Sequence, residues 1–294
     1  NDVLDYILEI EHFDNHLLQM INFLKEIGEL DNTFILVTAD NGMPFPYAKA
    51  NVQEFGTHVP LAISLPNGAK GKKVQDPVAL IDLAPTLMEL LGLSDYMNTT
   101  GISLIPVLRQ DQHPPHREYV LTGRERHTHA RPDNLGYPAR AIRTKEFLYV
   151  YHFEPDRWPQ GDPVPQNSEN DQRNKVAGFK SLYPGYHDVD DSPSKDEVMA
   201  IAESNYFELA FAKRPQEQLY DIKNDPYCTQ NIADLPEYRE VIFELKQNLM
   251  NDLMEQGDPR LSGNTVFDSY PRYSTMRNFK GFKNRGVYNL DFIQ

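Results

Sequence analysis

The stretch that most constrains this chain is a short strand with a polar end. An apolar run of strand formers, Phe34-Ile35-Leu36-Val37, passes through Thr38-Ala39 and delivers Asp40-Asn41-Gly42 at its carboxyl end. Ahead of it, Leu4, Ile7, Leu8, Phe13, Leu17, Met20, Ile21, Leu24 and Ile27 recur at three and four, which is helical spacing. The order helix, turn, strand predicts an α/β architecture with a parallel sheet. In such sheets, ligand chemistry sits beyond the carboxyl ends of the strands. Asp40 offers a carboxylate and Asn41 a carbonyl oxygen, and Gly42 lets the backbone turn sharply. Hard oxygen donors of this kind suit Ca²⁺ or Mg²⁺. An isolated Asp-Asn-Gly is usually only a turn. With the preceding strand and the cation Lys49 nearby, a second use stays open, in which Asp40 and Asn41 hold a metal beside an anionic substrate group.

Composition narrows the function. A net charge of −14 argues against a general nucleic-acid binder, which needs a basic stripe. It does not argue against an anionic substrate, because a local cluster of cations can invert the field inside a cleft. The single cysteine, Cys228, rules out a disulfide within these 294 residues. No run of 18 apolar residues suggests a transmembrane helix.

Along the chain, the helix over 3–28 ends at Gly28, and a strand is expected at 34–39. Further strands are expected at 61–65 and 119–122, with Asp82 capping a helix over 83–92 and a short helix over 102–109. The texture changes near residue 138. Residues 141–144 and 147–151 read as paired antiparallel strands, and 155–195 as a long irregular loop. Residues 195–211 read as helix, 218–221 as strand, and 236–256 as an amphipathic helix. The aromatic, basic tail 264–294 is expected to wrap back onto a surface.

Several of these features together resemble one family. Asp40-Asn41-Gly42, Lys49 and Val59-Pro60-Leu61 resemble the carboxyl-terminal metal-and-sulfate motif of type I sulfatases. Ile81-Asp82-Leu83-Ala84-Pro85-Thr86-Leu87 is similar to a family helix. Leu219-Tyr220-Asp221, Asn224-Asp225-Pro226 and Asn231-Ile232-Ala233 are similar to its closing stretch. Gly123-Arg124-Glu125-Arg126-His127 and the run from Ala139 to Pro163 look most like heparan N-sulfatases.

The resemblance implies an alkaline-phosphatase-like α/β fold. Residues 1–138 would complete the large catalytic domain. Residues 139–294 would form a smaller α+β domain of antiparallel sheet, the helix 236–256 and the tail. It implies a divalent metal, calcium in most of the family, on Asp40 and Asn41. Lys49 would bind sulfate and stabilise charge on it, and Arg124 and His127 would line the substrate pocket. The implied substrate is a sulfated sugar or glycosaminoglycan fragment, with N-sulfated glucosamine favoured. The implied compartment is periplasmic, secreted or lysosomal, and a homo-oligomer stays open.

The family nucleophile is a formylglycine made from Cys or Ser in Cys/Ser-x-Pro-x-Arg, and it attacks sulfur to give a covalent sulfate intermediate. No such motif stands in this chain, and Cys228 lacks both the proline and the arginine. The family's Asp-Asp metal pair is absent as well. These residues are therefore expected to be the carboxyl-terminal portion of a longer polypeptide. Two rivals are kept: an O-sulfatase, phosphodiesterase or phosphonate hydrolase of the same superfamily, and a non-catalytic glycan-binding relative.

Other polar residues are weighed against plainer roles. His58 is expected to be structural and Cys228 an inert thiol. His127 and His129 are too poorly spaced for a helix-borne metal pair, so the cationic stretch Arg124–Arg131 is read as an anion-facing loop. Trp158 beside Arg157 is read as packing rather than a sugar-stacking wall. The acidic run 188–191 is read as a solvated loop.

Overall fold

The computed structural model describes residues 2–94, 98–109, 116–128, 130, 131, 135–163, 182, 183 and 185–270. In chain order the elements are α1 (Asp2–Glu26), β1 (Ile35–Thr38), α2 (Glu54–Thr57), β2 (Leu61–Ser64), α3 (Leu83–Leu90) and α4 (Ile105–Arg109). There follow β3 (Tyr119–Arg124), β4 (Ala139–Thr144), β5 (Phe147–His152), α5 (Pro193–Ala200), α6 (Asn205–Phe211), β6 (Glu217–Asp221), α7 (Arg239–Glu255) and α8 (Val266–Ser269). They gather into two compact units that interleave along the sequence. One comprises Asn1–Asp40, Val59–Leu121 and Arg143–Glu146; the other comprises Asn41–His58, Thr122–Ile142 and Phe147–Gln294. The boundary expected at residue 138 concerns the domains of the family fold and stays a proposal.

In the first unit, α1 carries Asp2 and Asp5 in its first turn and Lys25 in its last, which complements the helix dipole. Gly28 takes the left-handed conformation (φ 77°) that closes such helices. No residue of α1 is buried, although it carries Leu4, Ile7, Leu8, Phe13 and Phe23. β1 pairs antiparallel with β2, from Ile35 opposite Ser64 to Thr38 opposite Leu61. The parallel sheet expected from the helix–turn–strand order is thus not what β1 makes. The intervening chain returns directly alongside, and Thr38 Oγ1 donates to the Pro60 carbonyl at 2.9 Å.

Asp82 also departs from expectation. A side-chain cap needs an extended N-cap backbone, but Asp82 is the last residue of a 3₁₀ turn, Leu80–Asp82, and is itself helical (φ −75°, ψ −17°). Its buried carboxylate instead accepts from the amides of Ala79 (3.0 Å) and Ile102 (2.8 Å), from Arg117 Nε (3.1 Å), and meets His116 Nε2 (3.2 Å). Burial alone would raise its pKa. Arg117, the two amides and His116 bring it below the usual value. One turn on, Thr86 Oγ1 takes the Leu104 amide at 2.8 Å, so this helix start latches residues 102–104.

The four-stranded sheet runs β3-β4-β5-β6. β5 and β6 pair antiparallel from Phe147 opposite Asp221 to Tyr151 opposite Glu217. Ala139, Ala141, Leu148, Val150, Tyr220 and Ile222 form the core of the second unit together with Val52 and Cys228. Cys228 is buried and has no disulfide, in keeping with an inert thiol. α7 buries Leu245, Leu249 and Leu253, the i, i+4 row that its pattern predicts. The helix expected over 195–211 is two helices. Ser192 caps α5 and Ser204 caps α6, each accepting the backbone N–H three residues on. The tail beyond 270, residues 164–181 of the expected loop 155–195, and His129 lie outside the described residues.

Candidate functional site

The loop from Asn41 to His58 is built to hold one shape. The Gly42 N–H donates to the Gly56 carbonyl at 3.0 Å, and the Lys49 N–H to the Met43 carbonyl at 3.0 Å. A β-carbon on Gly42 would lie 1.7 Å from the Phe55 carbonyl oxygen, so only glycine admits this approach. Tyr47 and Ala50 both hold the left-handed conformation without being glycine (φ 63° and 64°), at a cost of about 1–3 kcal/mol each. Fixed contacts offset that cost. The Tyr47 hydroxyl donates to the Cys228 carbonyl, and Arg214 lies over the Tyr47 ring at 5.5 Å. Asn51 Oδ1 accepts from Gln160 Nε2 at 2.8 Å. Gln53 and His152 both meet Gln218 Oε1, the latter at 2.9 Å.

Asp40 and Asn41 stand just ahead of Gly42 in the sequence. Their donor set is a carboxylate and an amide carbonyl, hard oxygens suited to calcium or magnesium. The turn behind them leaves no space for a side chain at Gly42. Among the described residues, no group of three or more His, Cys, Asp and Glu could hold a metal ion.

Lys49 Nζ lies 3.0 Å from Asp190 Oδ2, and both side chains reach solvent. Arg124, by contrast, is turned inward. Its Nη2 donates to Asp188 Oδ2 at 2.6 Å and to the Pro159 carbonyl at 2.9 Å, and its Nη1 to the Ala50 carbonyl. Arg131 converges on the same carboxylate, and its Nε donates to the Trp158 carbonyl at 2.7 Å. The Tyr137 ring receives both guanidiniums, at 5.7 and 5.6 Å from its centroid, a favourable seat for two like charges. The Thr128 N–H (2.9 Å) and hydroxyl complete the ligation of Asp188.

Asp188 thus corrects the reading of 188–191 as a solvated loop. Its side chain is fully buried. Val189 is buried too, and Asp191 is tied to the buried Lys195 at 3.0 Å. The physical reason is charge balance, since buried guanidiniums need a buried anion. Burial would raise the Asp188 pKa, but Arg131, Arg124 and Thr128 hold it down at about 2. Burial lowers the Arg124 pKa to about 10.

His127 Nδ1 lies 3.1 Å from the Asp188 carbonyl oxygen. A carbonyl only accepts, so Nδ1 carries the proton and Nε2 offers its lone pair. Burial lowers the His127 pKa. Lys49 and Arg124 act the same way, against Asp188 and Asp190. Lys49, Arg124 and His127 therefore gather around one segment, 188–190. His58 meets Glu54 Oε2 at 2.8 Å, one turn back on α2, which is a local structural contact. Trp158 packs edge-on to Tyr186 at 6.0 Å with Lys213 over its ring, in keeping with packing.

Residues 2–93 match the family model described as Sulfatase. An ulvan-active sulfatase of Formosa agariphila is 26% identical over 253 residues, covering 85% of this chain and 37% of that protein. Human N-sulphoglucosamine sulphohydrolase is 26% identical over 253 residues, covering 80% of this chain and 44% of that protein. The chain thus spans less than half the length of either. A structure solved in complex with its substrate D-glucosamine-2-N,6-O-disulfate overlaps 84% of this chain and 39% of its own, with a TM-score of 0.51 at 22% identity. Phosphonate monoester hydrolases share the fold at similar overlap. The first third of the chain thus matches the Sulfatase family model, and at least four fifths of its length aligns with sulfatases at 26% identity.

Proposed function

We propose that this chain supplies part of the active site of a formylglycine-dependent sulfatase acting on a sulfated glycan, with N-sulfated glucosamine of heparan type as the favoured substrate. The observation that carries the reading is Lys49, a solvent-reaching cation on a loop with two left-handed residues, nine positions after Asp40 of the Asp40-Asn41-Gly42 triplet. In this reading Asp40 and Asn41 ligate a divalent cation, calcium by preference. When bound, that ion supplies Lewis-acid polarisation of the sulfate oxygens. Lys49 binds a sulfate oxygen and stabilises the charge that builds there as the bond to the amine or alcohol breaks. His127 lines the sugar pocket with its Nε2 acceptor. Arg124 acts from behind by fixing the backbone beside Lys49. The nucleophile comes from residues outside these 294, since no Cys/Ser-x-Pro-x-Arg stands within them. The compartment proposed is periplasmic, secreted or lysosomal.

The test begins with the intact mass and peptide map of the parent polypeptide. A formylglycine-bearing Cys/Ser-x-Pro-x-Arg peptide supports catalysis; a mass equal to this chain alone turns the reading to glycan binding without turnover. Turnover is then compared on N-sulfoglucosamine, an aryl sulfate and an aryl phosphate. A preference for the phosphate would move the reading to a phosphoryl or phosphonyl hydrolase. In the active enzyme, Lys49→Ala is expected to lower kcat by about 10²–10³-fold without changing the melting temperature.

A further inference from the structure

An exposed lysine–carboxylate pair is usually worth little, about 0–1 kcal/mol, because two long side chains must be ordered to make it. The pair of Lys49 and Asp190 is different in how its backbone is held. Through Nη1, Arg124 grips the carbonyl of Ala50, next to Lys49. Through Nη2 it grips the carboxylate of Asp188, two residues before Asp190. One buried guanidinium therefore fixes both sides of the pair. On the Asp190 side, Val189 is buried, and Lys195 holds both the Val189 carbonyl (3.2 Å) and Asp191 (3.0 Å). Of the three carboxylates in this run, Asp188 is buried, Asp191 is mostly covered, and Asp190 is the one that reaches solvent, at 47% side-chain exposure. His127 adds a second acceptor to the same wall, its Nε2, because Nδ1 is committed to the Asp188 carbonyl.

We propose that Asp190 is a specificity-determining residue that admits anions flanked by a hydrogen-bond donor, an amine or hydroxyl, and disfavours anions without one. The inference rests on the reading of Lys49 as the sulfate-binding cation. An anion that binds Lys49 must share the site with the Asp190 carboxylate. If it brings only acceptors, the two negative groups repel and Asp190 loses its partner. If it carries N–H or O–H groups beside the sulfate, as an amino-sugar sulfate does, Asp190 and His127 Nε2 accept from them. The desolvation of the carboxylate is then offset by charge-assisted hydrogen bonds. A site of this kind selects by leaving its own polar group unsatisfied with the wrong ligand.

The experiment uses the full-length parent enzyme with calcium, its Asp190→Asn and Asp190→Ala variants, and two substrates: N-sulfoglucosamine and 4-nitrophenyl sulfate, which has no donor. The expected result is a split of opposite sign. KM for the sugar rises about 10-fold in both variants, with kcat within about twofold, while KM for the aryl sulfate falls severalfold as Lys49 is released. A merely structural role would move both substrates the same way. Shifts of the same sign, or no shift, in a variant whose melting temperature is unchanged overturn the inference. Lys49→Ala separates the two levels. If it weakens both substrates while the Asp190 variants fail to split them, only the role of Asp190 falls. If it leaves both KM and kcat unchanged, or if the wild type turns over neither substrate, the sulfate reading fails and this inference falls with it.

Discussion

Asp188 keeps its charge without access to water because two guanidiniums, a hydroxyl and an amide converge on it. Replacing it by Asn leaves Arg124 and Arg131 buried without a counter-charge, and Asp188→Asn is expected to cost about 3–5 kcal/mol in denaturant unfolding. The pH dependence follows from the same contacts. Its pKa is depressed in the folded protein from 3.8 to about 2. The stabilisation, about 2 kcal/mol, is therefore fully present above roughly pH 4 and disappears as pH falls toward about 2. Unfolding curves between pH 5 and 2 should show that loss in the wild type and lack it in Asp188→Asn. The reading of the sequence expected Lys49 to bind sulfate and Arg124 and His127 to line a pocket, but it did not expect Asp188 or Arg131 to stand beside them. The partners are 64 and 57 residues apart, and nothing local in His187-Asp188-Val189-Asp190-Asp191 marks one acid as buried. The available signal was the cationic stretch Arg124–Arg131 in an acidic chain, which had to find an anion somewhere.

Among the elements, the loop 41–58 shows how a turn without regular structure can be as constrained as a strand. Gly42 has no room for a methyl group against the Phe55 carbonyl, and that carbonyl is backbone and cannot swing aside. Gly42→Ala is expected to force the turn open and cost about 1–3 kcal/mol. On the proposed reading of Asp40 and Asn41 as calcium ligands, it should also weaken calcium binding by the parent protein at least 10-fold in calorimetric titration, with the sheet of the second unit intact by circular dichroism. Unchanged calcium affinity would detach the turn from the metal. Regular elements were the most legible part. α7 announces itself through Leu245, Leu249 and Leu253, and β5 through a run of aromatics and branched residues. The errors fell where a local signal has two uses. Asp82 before a helical pattern looks like a cap, but it already belongs to a 3₁₀ turn, Leu80–Asp82, and its backbone is helical. Ser204 marks a new helix start inside what reads as one continuous helix.

For the molecule as a whole, the apolar surface of α1 is the feature with the largest practical effect. Val3, Leu4, Ile7, Leu8, Ile10, Phe13, Leu18, Met20 and Phe23 are each at least 44% exposed. Patches of this kind drive association. A preparation of these 294 residues alone is expected to self-associate at micromolar concentration in light scattering, and Leu8→Glu with Phe23→Glu should suppress it. A monodisperse monomer of the unaltered chain would show that α1 covers its own surface. The fold class was legible because the strand-to-Asp-Asn-Gly pattern ties an architecture to a chemistry. The interleaving of the two units was not, because it depends on contacts that span most of the chain.

That interleaving has a consequence in time. Lys49 and Asp190 are 141 residues apart. At a synthesis rate of about 5–20 residues per second, the lysine waits roughly 7–28 s for its carboxylate to emerge. Throughout that interval the two left-handed residues beside it lack the Asp188–Arg124 lock, so on the ribosome this loop is an early-made part that acquires its final shape late.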